Sequence, residues 1–472
     1  MRLNIFPMKN KSGLTKIIII ALFLLGIFIK LYYINYTETW ERQHDVISFG
    51  ADEGHAAYIE YILNNKSLPD FDPREKWGFF QPPLHHIISA FVMDVSMKAG
   101  LDIKRCQENT QIPTLIYMIL LSVMSLYIFA KSRGLHKDKI FSDGCLVMLA
   151  IVALHPMFII MSGSINNDAL QLVMSLFALI VAAKWYEKPD ILRIVFLAVI
   201  IGLSMLAKLT GGLVAVPIAI IMAIKVFGFD GGIRTDKHTK VGLSDRLRFF
   251  FRKYFAKMLI FAAIVFPLGL SFSIRNKLKW DVPFNYIPPV GENFPESVTM
   301  KNRLLDIGTD SVYTKMIARG DAFDEYNVFL ALIKTSLFGE YSFSDVSRWM
   351  NPLTIILFVS AVLVIVFALF ATFKVAFSKK IKLALVWKVL LLFTYVTYLA
   401  AYFYFALSSS NFSAQDFRYA GICIVCEGIF AGVYVDSIKD KRALMIIKVV
   451  AITFAASSFL TYALLGFKSN LS

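Results

Sequence analysis

Residues 17–33 read IIIIALFLLGIFIKLYY, and residues 44–86 read HDVISFGADEGHAAYIEYILNNKSLPDFDPREKWGFFQPPLHH. The first stretch is long and apolar enough for a bilayer-spanning helix, since about 20 helical residues cross the roughly 30 Å hydrocarbon core. The second is the polar gap that follows it, holding twelve Asp, Glu, His and Arg side chains. A plain connector between spans needs none of these groups. Acids, imidazoles and a Pro-Pro turn gathered just outside a membrane helix point to chemistry at the membrane surface.

The rest of the chain supports the membrane setting. Over 472 residues, 57% are hydrophobic, 14% aromatic and only 18% charged, with mean hydropathy +0.61. A soluble domain of this length has no use for so much apolar surface, whereas repeated runs of 18 or so apolar residues suit membrane helices. The first run has no small-residue cleavage site behind it and is expected to stay as a span. Further spans are expected near 112–131, 141–160, 168–186, 190–207, 210–227, 256–274, 352–373, 383–407, 418–435 and 443–466, about eleven in all. The fold class is therefore all-α: a single polytopic integral membrane domain over 1–472, with long polar loops at 36–111 and 275–349.

Net charge is +15, and its distribution is more telling than its size. Lys and Arg crowd alternate loops: Lys131 to Lys139, Lys184 to Arg193, Arg234 to Lys257, Lys374 to Lys382, Lys439 to Arg442, and the N-terminal segment. In the loops at 36–111 and 275–349 acids are at least as numerous as bases. This is the positive-inside pattern, so the N-terminus is expected in the cytoplasm and both long loops outside. It accounts for the basic balance without nucleic acid. Four cysteines give no disulfide framework; Cys423 and Cys426 have CxxC spacing but fall within an expected span, where packing is the plainer role. Glu427, in the same span, calls for a partner within the bundle.

Within the first loop, His55, Tyr58, Ile59, Ile62 and Leu63 recur at helical spacing. A helix beginning at Asp52 would hold Asp52 and Glu53 in its first turn, where its dipole favours negative charge. A positioned carboxylate can take a proton from a hydroxyl; the plainer reading is that the two acids complement a helix end. Asn64-Asn65 closes this helix and Pro82-Pro83 opens another. There Leu84, Ile87, Ile88, Phe91, Val92 and Val95 make an apolar stripe flanked by His85, His86 and Ser89, as in a helix lying along the membrane surface. With Asp45, Asp52 and Glu53, the imidazoles of His44, His55, His85, His86 and His155 are of the right type for a divalent metal. No HExxH accompanies them, and hydrogen bonding to sugar or phosphate is the plainer role. The 275–349 loop, with Trp280, Tyr286, Tyr313, Tyr326 and Tyr341, is long enough for a lid or an acceptor surface.

Taken in order, these motifs resemble the GT-C membrane glycosyltransferases, and within them glycosyltransferase family 39, the protein O-mannosyltransferases and aminoarabinose transferases. Asp52-Glu53 matches the acid pair of the family and Gln81-Pro82-Pro83-Leu84 its PPL segment. Asn167-Asp168-Ala169-Leu170 resembles its Asp-containing turn, Gly202 to Lys208 its GLxxLxK stretch, and Ser273-Ile274-Arg275-Asn276 its Arg-Asn after a later span. The matches run over about residues 40–290. The resemblance implies a GT-C fold and transfer of a sugar from a polyprenyl-phosphate donor to an outward-facing acceptor hydroxyl, with inversion. The acceptor class stays open between glycolipid, polysaccharide and protein, and the setting implied is the bacterial cytoplasmic (inner) membrane. No Gly-rich nucleotide loop is present, in keeping with a lipid-bound, already activated donor; no organic cofactor is expected, and a divalent metal stays open.

Two departures bear on the site. Some relatives carry a Lys immediately before the Pro, against the lipid phosphate; here that residue is Gln81. The cation then has to come from elsewhere, with Lys208 and Arg275 at outward helix ends and Arg418 in a short loop as candidates. Asp45 also lies nearer the first span than Asp52 does and competes with it as the base. The rival class is a transporter or flippase of a lipid-linked sugar. Transporters, however, place their ionisable groups near the midplane, often in repeated halves.

Overall fold

The structure, a computed structural model, describes residues 11–39, 48–134, 140–233, 241–284, 286–288, 294–307, 326–339 and 348–469. Asp45 and His44, together with Tyr313 and Tyr341 of the second long loop, lie outside these residues. Among the described residues the chain is all-α. Helix α1 (Lys11–Tyr36) leads into α2 (Gly54–Asn65), α3 (Leu84–Lys98) and α4 (Ile103–Glu108), and α5 (Ile112–Ser132) returns across the bundle. Then come α6 (Asp143–Val152), α7 (Pro156–Gly163), α8 (Asp168–Glu187), α9 (Ile191–Ala207) and α10 (Ala215–Val226). A short α11 (Leu243–Lys253) precedes α12 (Phe255–Trp280), α13 (Met300–Leu305) and α14 (Val328–Phe338). Helices α15 (Met350–Phe377), α16 (Leu385–Ser408), α17 (Ile422–Val435) and α18 (Lys441–Ser469) complete the chain.

Among the described residues, eight helices are long and apolar enough to cross a membrane, or ten if each of two bent pairs counts as one span. The eleventh span expected, near 190–207, is α9, an apolar helix of 17 residues. The pair α6–α7 bends by 47° where His155-Pro156 interrupts the helix, because proline supplies no N–H to continue the ladder. A break inside a bilayer leaves backbone carbonyls to be satisfied. The buried Lys30 of α1 answers this: its ammonium donates to the carbonyl of Ala153 at 2.6 Å and to its own Gly26 at 3.0 Å. The one charge in the first apolar run is thus tied to the kink. In α17, Glu427 accepts from the Tyr395 hydroxyl of α16 at 2.8 Å, the partner within the bundle that its position called for.

Helices α6, α7, α8 and α17 are buried over most of their length, while α12 and α15 keep Phe266, Leu259, Val366 and Phe373 exposed. This is the layering expected when the outer solvent is hydrocarbon. Close approach at the centre depends on small residues, as is usual between membrane helices. A Cβ on Gly144 of α6 would lie 2.1 Å from the carbonyl oxygen of Gly432 in α17, so neither position accepts a side chain. The bundle has two unlike ends. At one, Arg133, Ser142 and the Gly144 amide converge on Asp436, and Lys257 caps the Pro189 carbonyl. At the other lie α2, α3, the N-terminus of α8, the C-terminus of α9 and the turn before α17.

Candidate functional site

The second end is assembled from four distant stretches. Helix α2 begins at Gly54, with Glu53 as its N-cap residue and no side-chain cap bond. The expected start at Asp52 is therefore corrected by two residues: Asp52 and Glu53 precede the first turn, both exposed. The reason is local. Gly54 takes φ +92°, which favours glycine, and its amide donates to the carbonyl of Trp77 at 2.8 Å. Across that contact sits Gly78 at φ +90°, where a Cβ would come within 3.0 Å of the Gly54 backbone. Two glycines thus clamp the acid pair against the loop that returns to α3.

Helix α3 starts at Leu84 after Pro83 and turns its faces as a surface helix should. Ile87, Phe91 and Val95 of the apolar stripe are exposed, while His85, His86, Ser89, Ala90 and Met93 are buried. The imidazoles accordingly point into the protein. His55 Nδ1 and His86 Nε2 share a hydrogen bond of 2.8 Å, their rings stacked 5.0 Å apart. Tyr58 lies on His86 at 4.3 Å and on Phe79 at 4.8 Å, and Trp77 meets the edge of His55. His85 Nε2 donates to the carbonyl of Ile165 at 2.8 Å, tying α3 to the turn before α8. All three histidines are at most 2% exposed: His55 and His86 brace α2 on α3, and His85 braces α3 on the turn before α8. Among the described residues no three His, Cys, Asp or Glu side chains converge on a place for a metal ion.

This bracing makes stability depend on pH. Burial pushes the pKa of His85 down from 6.5 to about 4, and burial also holds that of His86 well below the ordinary imidazole value. A group with a depressed folded pKa binds more protons when unfolded, so stability is full above about pH 6.5 and declines as pH falls towards 4. His85 alone is expected to account for roughly 3 kcal/mol of that loss, at about 1.4 kcal/mol per pH unit. Thermal unfolding of wild type between pH 7.5 and 4.5 should show the decline, and His85→Gln should flatten it. An unchanged slope in the variant would remove His85 from the account.

Opposite the histidines, the motifs at Asp168 and Lys208 meet. Asp168 opens α8 and is 1% exposed. Its Oδ1 accepts from Lys208 Nζ at 2.7 Å, and its Oδ2 lies 3.7 Å from Nε of Arg418. Arg418 also faces Asp416 at 3.7 Å. Lys208 and Arg418 both lie over the Tyr419 ring, at 5.0 and 5.1 Å. Asn167 donates to the carbonyl of Ala207, the last residue of α9, at 2.9 Å and to Gln81 Oε1 at 3.2 Å. Lys208 is aimed by its backbone: α9 stops at Ala207, and Gly211 folds the next turn back so tightly that a Cβ there would lie 2.4 Å from the Ser204 carbonyl oxygen. Asp168, Lys208, Asp416 and Arg418, with Gln81 joined to them through Asn167, thereby form one largely buried group of two cations and two carboxylates drawn from positions up to 337 apart.

Arg275 stands apart from this group. Its guanidinium donates to the carbonyl of Pro69, faces Asp70 at 3.6 Å and stacks on Trp280 at 4.8 Å. It therefore pins the end of α12 to the loop between α2 and α3, with Lys279 adding a second bond to Asp70. Asp70 and Trp77 belong to no motif in the sequence, and Tyr58 stands out there only as a member of the helical repeat; the aromatic density of residues 71–80 hints at Trp77 alone.

The fold built this way is the GT-C fold of membrane glycosyltransferases. Over 96% of this chain and 77% of the other, it superposes on ArnT from Cupriavidus metallidurans bound to undecaprenyl phosphate, with TM-score 0.52 and 14% identity. The apo state of the same protein gives TM-score 0.52 at 13% identity, over 95% and 77%. Residues 81–232, from Gln81 through Asp168 and Lys208, match the family model of dolichyl-phosphate-mannose-protein mannosyltransferases. No curated protein matches the chain by sequence.

Proposed function

We propose that this chain transfers a sugar from a polyprenyl-phosphate donor to an acceptor hydroxyl at the extracytoplasmic membrane face, inverting the anomeric centre. One observation carries the reading: the Asp168–Lys208–Arg418 group lies at the same end of the bundle as Asp52 and Glu53. In the transfer, the glycosidic C–O bond to phosphate breaks and the lipid phosphate leaves as an anion, which needs fixed cations near it. Lys208 and Arg418 supply these, held in place by Asp168 and Asp416. A carboxylate of the first loop, Asp52 in preference to Asp45, takes the proton of the attacking hydroxyl. His55, His85 and His86 act by positioning, and Arg275 by closing the loop over residues 66–80.

The basic end of the bundle then faces the cytoplasm, with the N-terminus there, and the stretches 36–111 and 275–349 face outward from a single membrane domain in the cytoplasmic (inner) membrane of a bacterium. Glycolipid, polysaccharide and protein hydroxyls are the acceptor classes. The test uses purified protein in liposomes containing a polyprenyl-phosphate hexose, with hydroxyl-bearing peptides and lipid A-type glycolipids as acceptors. The expected result is release of polyprenyl phosphate in step with glycosylated acceptor. Movement of intact lipid between leaflets with the glycosidic bond unbroken would replace this reading with the transporter.

A further inference from the structure

Helix α11 (Leu243–Lys253), at the basic end of the bundle, stands out among the described helices. None of its residues is buried. Its sequence, LSDRLRFFFRK, puts Leu243, Leu247 and Phe251 in one row at intervals of four, and all three are exposed, at 74%, 40% and 59%. Phe255, the first residue of α12, extends the exposed apolar surface. Beside that row, at the next step around the helix, stand Arg248 and Arg252, also exposed. Lys253 and Arg246 lie on the further side, Arg246 fixed over Phe229 at 4.2 Å and bonded to the Phe227 carbonyl. The single acid, Asp245, is occupied at the helix start by the Gly242 amide at 3.0 Å. The face that looks away from the protein is therefore apolar along one edge and cationic along the next.

We propose that α11 is a binding surface for anionic phospholipids, seating Leu247 and Phe251 at the headgroup–acyl boundary with Arg248 and Arg252 on lipid phosphates. Charge decides the occupant. An apolar row alone would accept any lipid, but Arg248 and Arg252 on the outward face, with the one carboxylate engaged at the helix start, match a negatively charged leaflet. The geometry also gives the contact a consequence. Tyr254 alone separates α11 from α12, so the depth of α11 sets where α12 enters the bilayer.

The experiment is native mass spectrometry of the full chain released from nanodiscs of phosphatidylcholine and phosphatidylglycerol in equal parts. Wild type is expected to retain phosphatidylglycerol in preference, and added salt is expected to weaken the preference. Arg248→Gln/Arg252→Gln should lower it by about tenfold or more, at roughly 1 kcal/mol per surface cation. Arg248→Lys/Arg252→Lys should keep most of it, which separates charge loss from misfolding. As a control at another basic loop, Lys439→Gln should leave it in place. Equal retention of the two lipids by wild type, or a Gln double variant indistinguishable from wild type, would overturn the proposal.

Discussion

Asp168→Asn is expected to destabilise the protein by about 3 kcal/mol or more, a large effect for one atom exchanged. The variant keeps the shape and one acceptor oxygen but removes the charge that Lys208 meets at 2.7 Å and Arg418 at 3.7 Å. Both cations are largely buried, with side chains 12% and 4% exposed. A buried ion pair need not be net stabilising, yet breaking one from a single side strands the remaining charge, typically at about 3–5 kcal/mol. Arg418 retains Asp416 as a neighbour, so the penalty falls chiefly on Lys208. Thermal unfolding in detergent at pH 7.5 should show a clearly lower midpoint for Asp168→Asn. The double variant Asp168→Asn/Lys208→Met should recover much of the loss, because the stranded ammonium is gone. If Asp168→Asn unfolds at the wild-type temperature, the group is not an ion-pair network.

Asp168 and Lys208 were each visible in the sequence as members of short motifs at the ends of apolar runs, and charge bias put those ends on one side. Arg418 was visible too, as a cation in a short loop, but not its pairing. It lies 210 positions from Lys208, in a loop with no motif of its own, and only the packing of α17 against the central helices brings it onto Asp168. The histidines show the opposite limit. Their spacing on α2 and α3 was readable, but periodicity tells which residues share a face, not whether that face looks outward or inward. In a soluble protein the stripe Ile87, Phe91, Val95 would be the buried side; at a membrane it is the exposed side, and His85 and His86 go in. Helix bounds were legible where proline marks them, as at Pro83. They failed at Asp52 because the dihedral demand at Gly54 comes from a contact with Gly78, a partner no local pattern reveals. The kink at His155-Pro156 has the same character, since Lys30 looks like a lone charge in an apolar run until the Ala153 carbonyl is seen beside it.

The largest expected effect on activity is that of Asp52→Asn, which should cut sugar transfer by about a hundredfold or more while donor binding stays near wild type. Removing a general base typically costs 10²–10⁴ in rate, or at least about 2.7 kcal/mol of barrier, whereas an amide of the same shape disturbs little else. The structure favours Asp52 for this role over Glu53 by position. Glu53 is the N-cap residue of α2, and Asp52 precedes it on a segment whose path is fixed by the Gly54–Trp77 bond and the Gly54–Gly78 contact. Asp52 is exposed and has no hydrogen-bond partner among the described residues, so its carboxylate is open to an incoming hydroxyl. Asp45→Asn, measured alongside, should stay within a few-fold of wild type. The readout is single-turnover transfer from a polyprenyl-phosphate hexose. A full-sized loss in Asp45→Asn with Asp52→Asn unaffected would move the base to Asp45. Normal transfer by both would take the role from Asp52 and Asp45, leaving Glu53 of the same pair as the next carboxylate to match with the cations at Lys208 and Arg418.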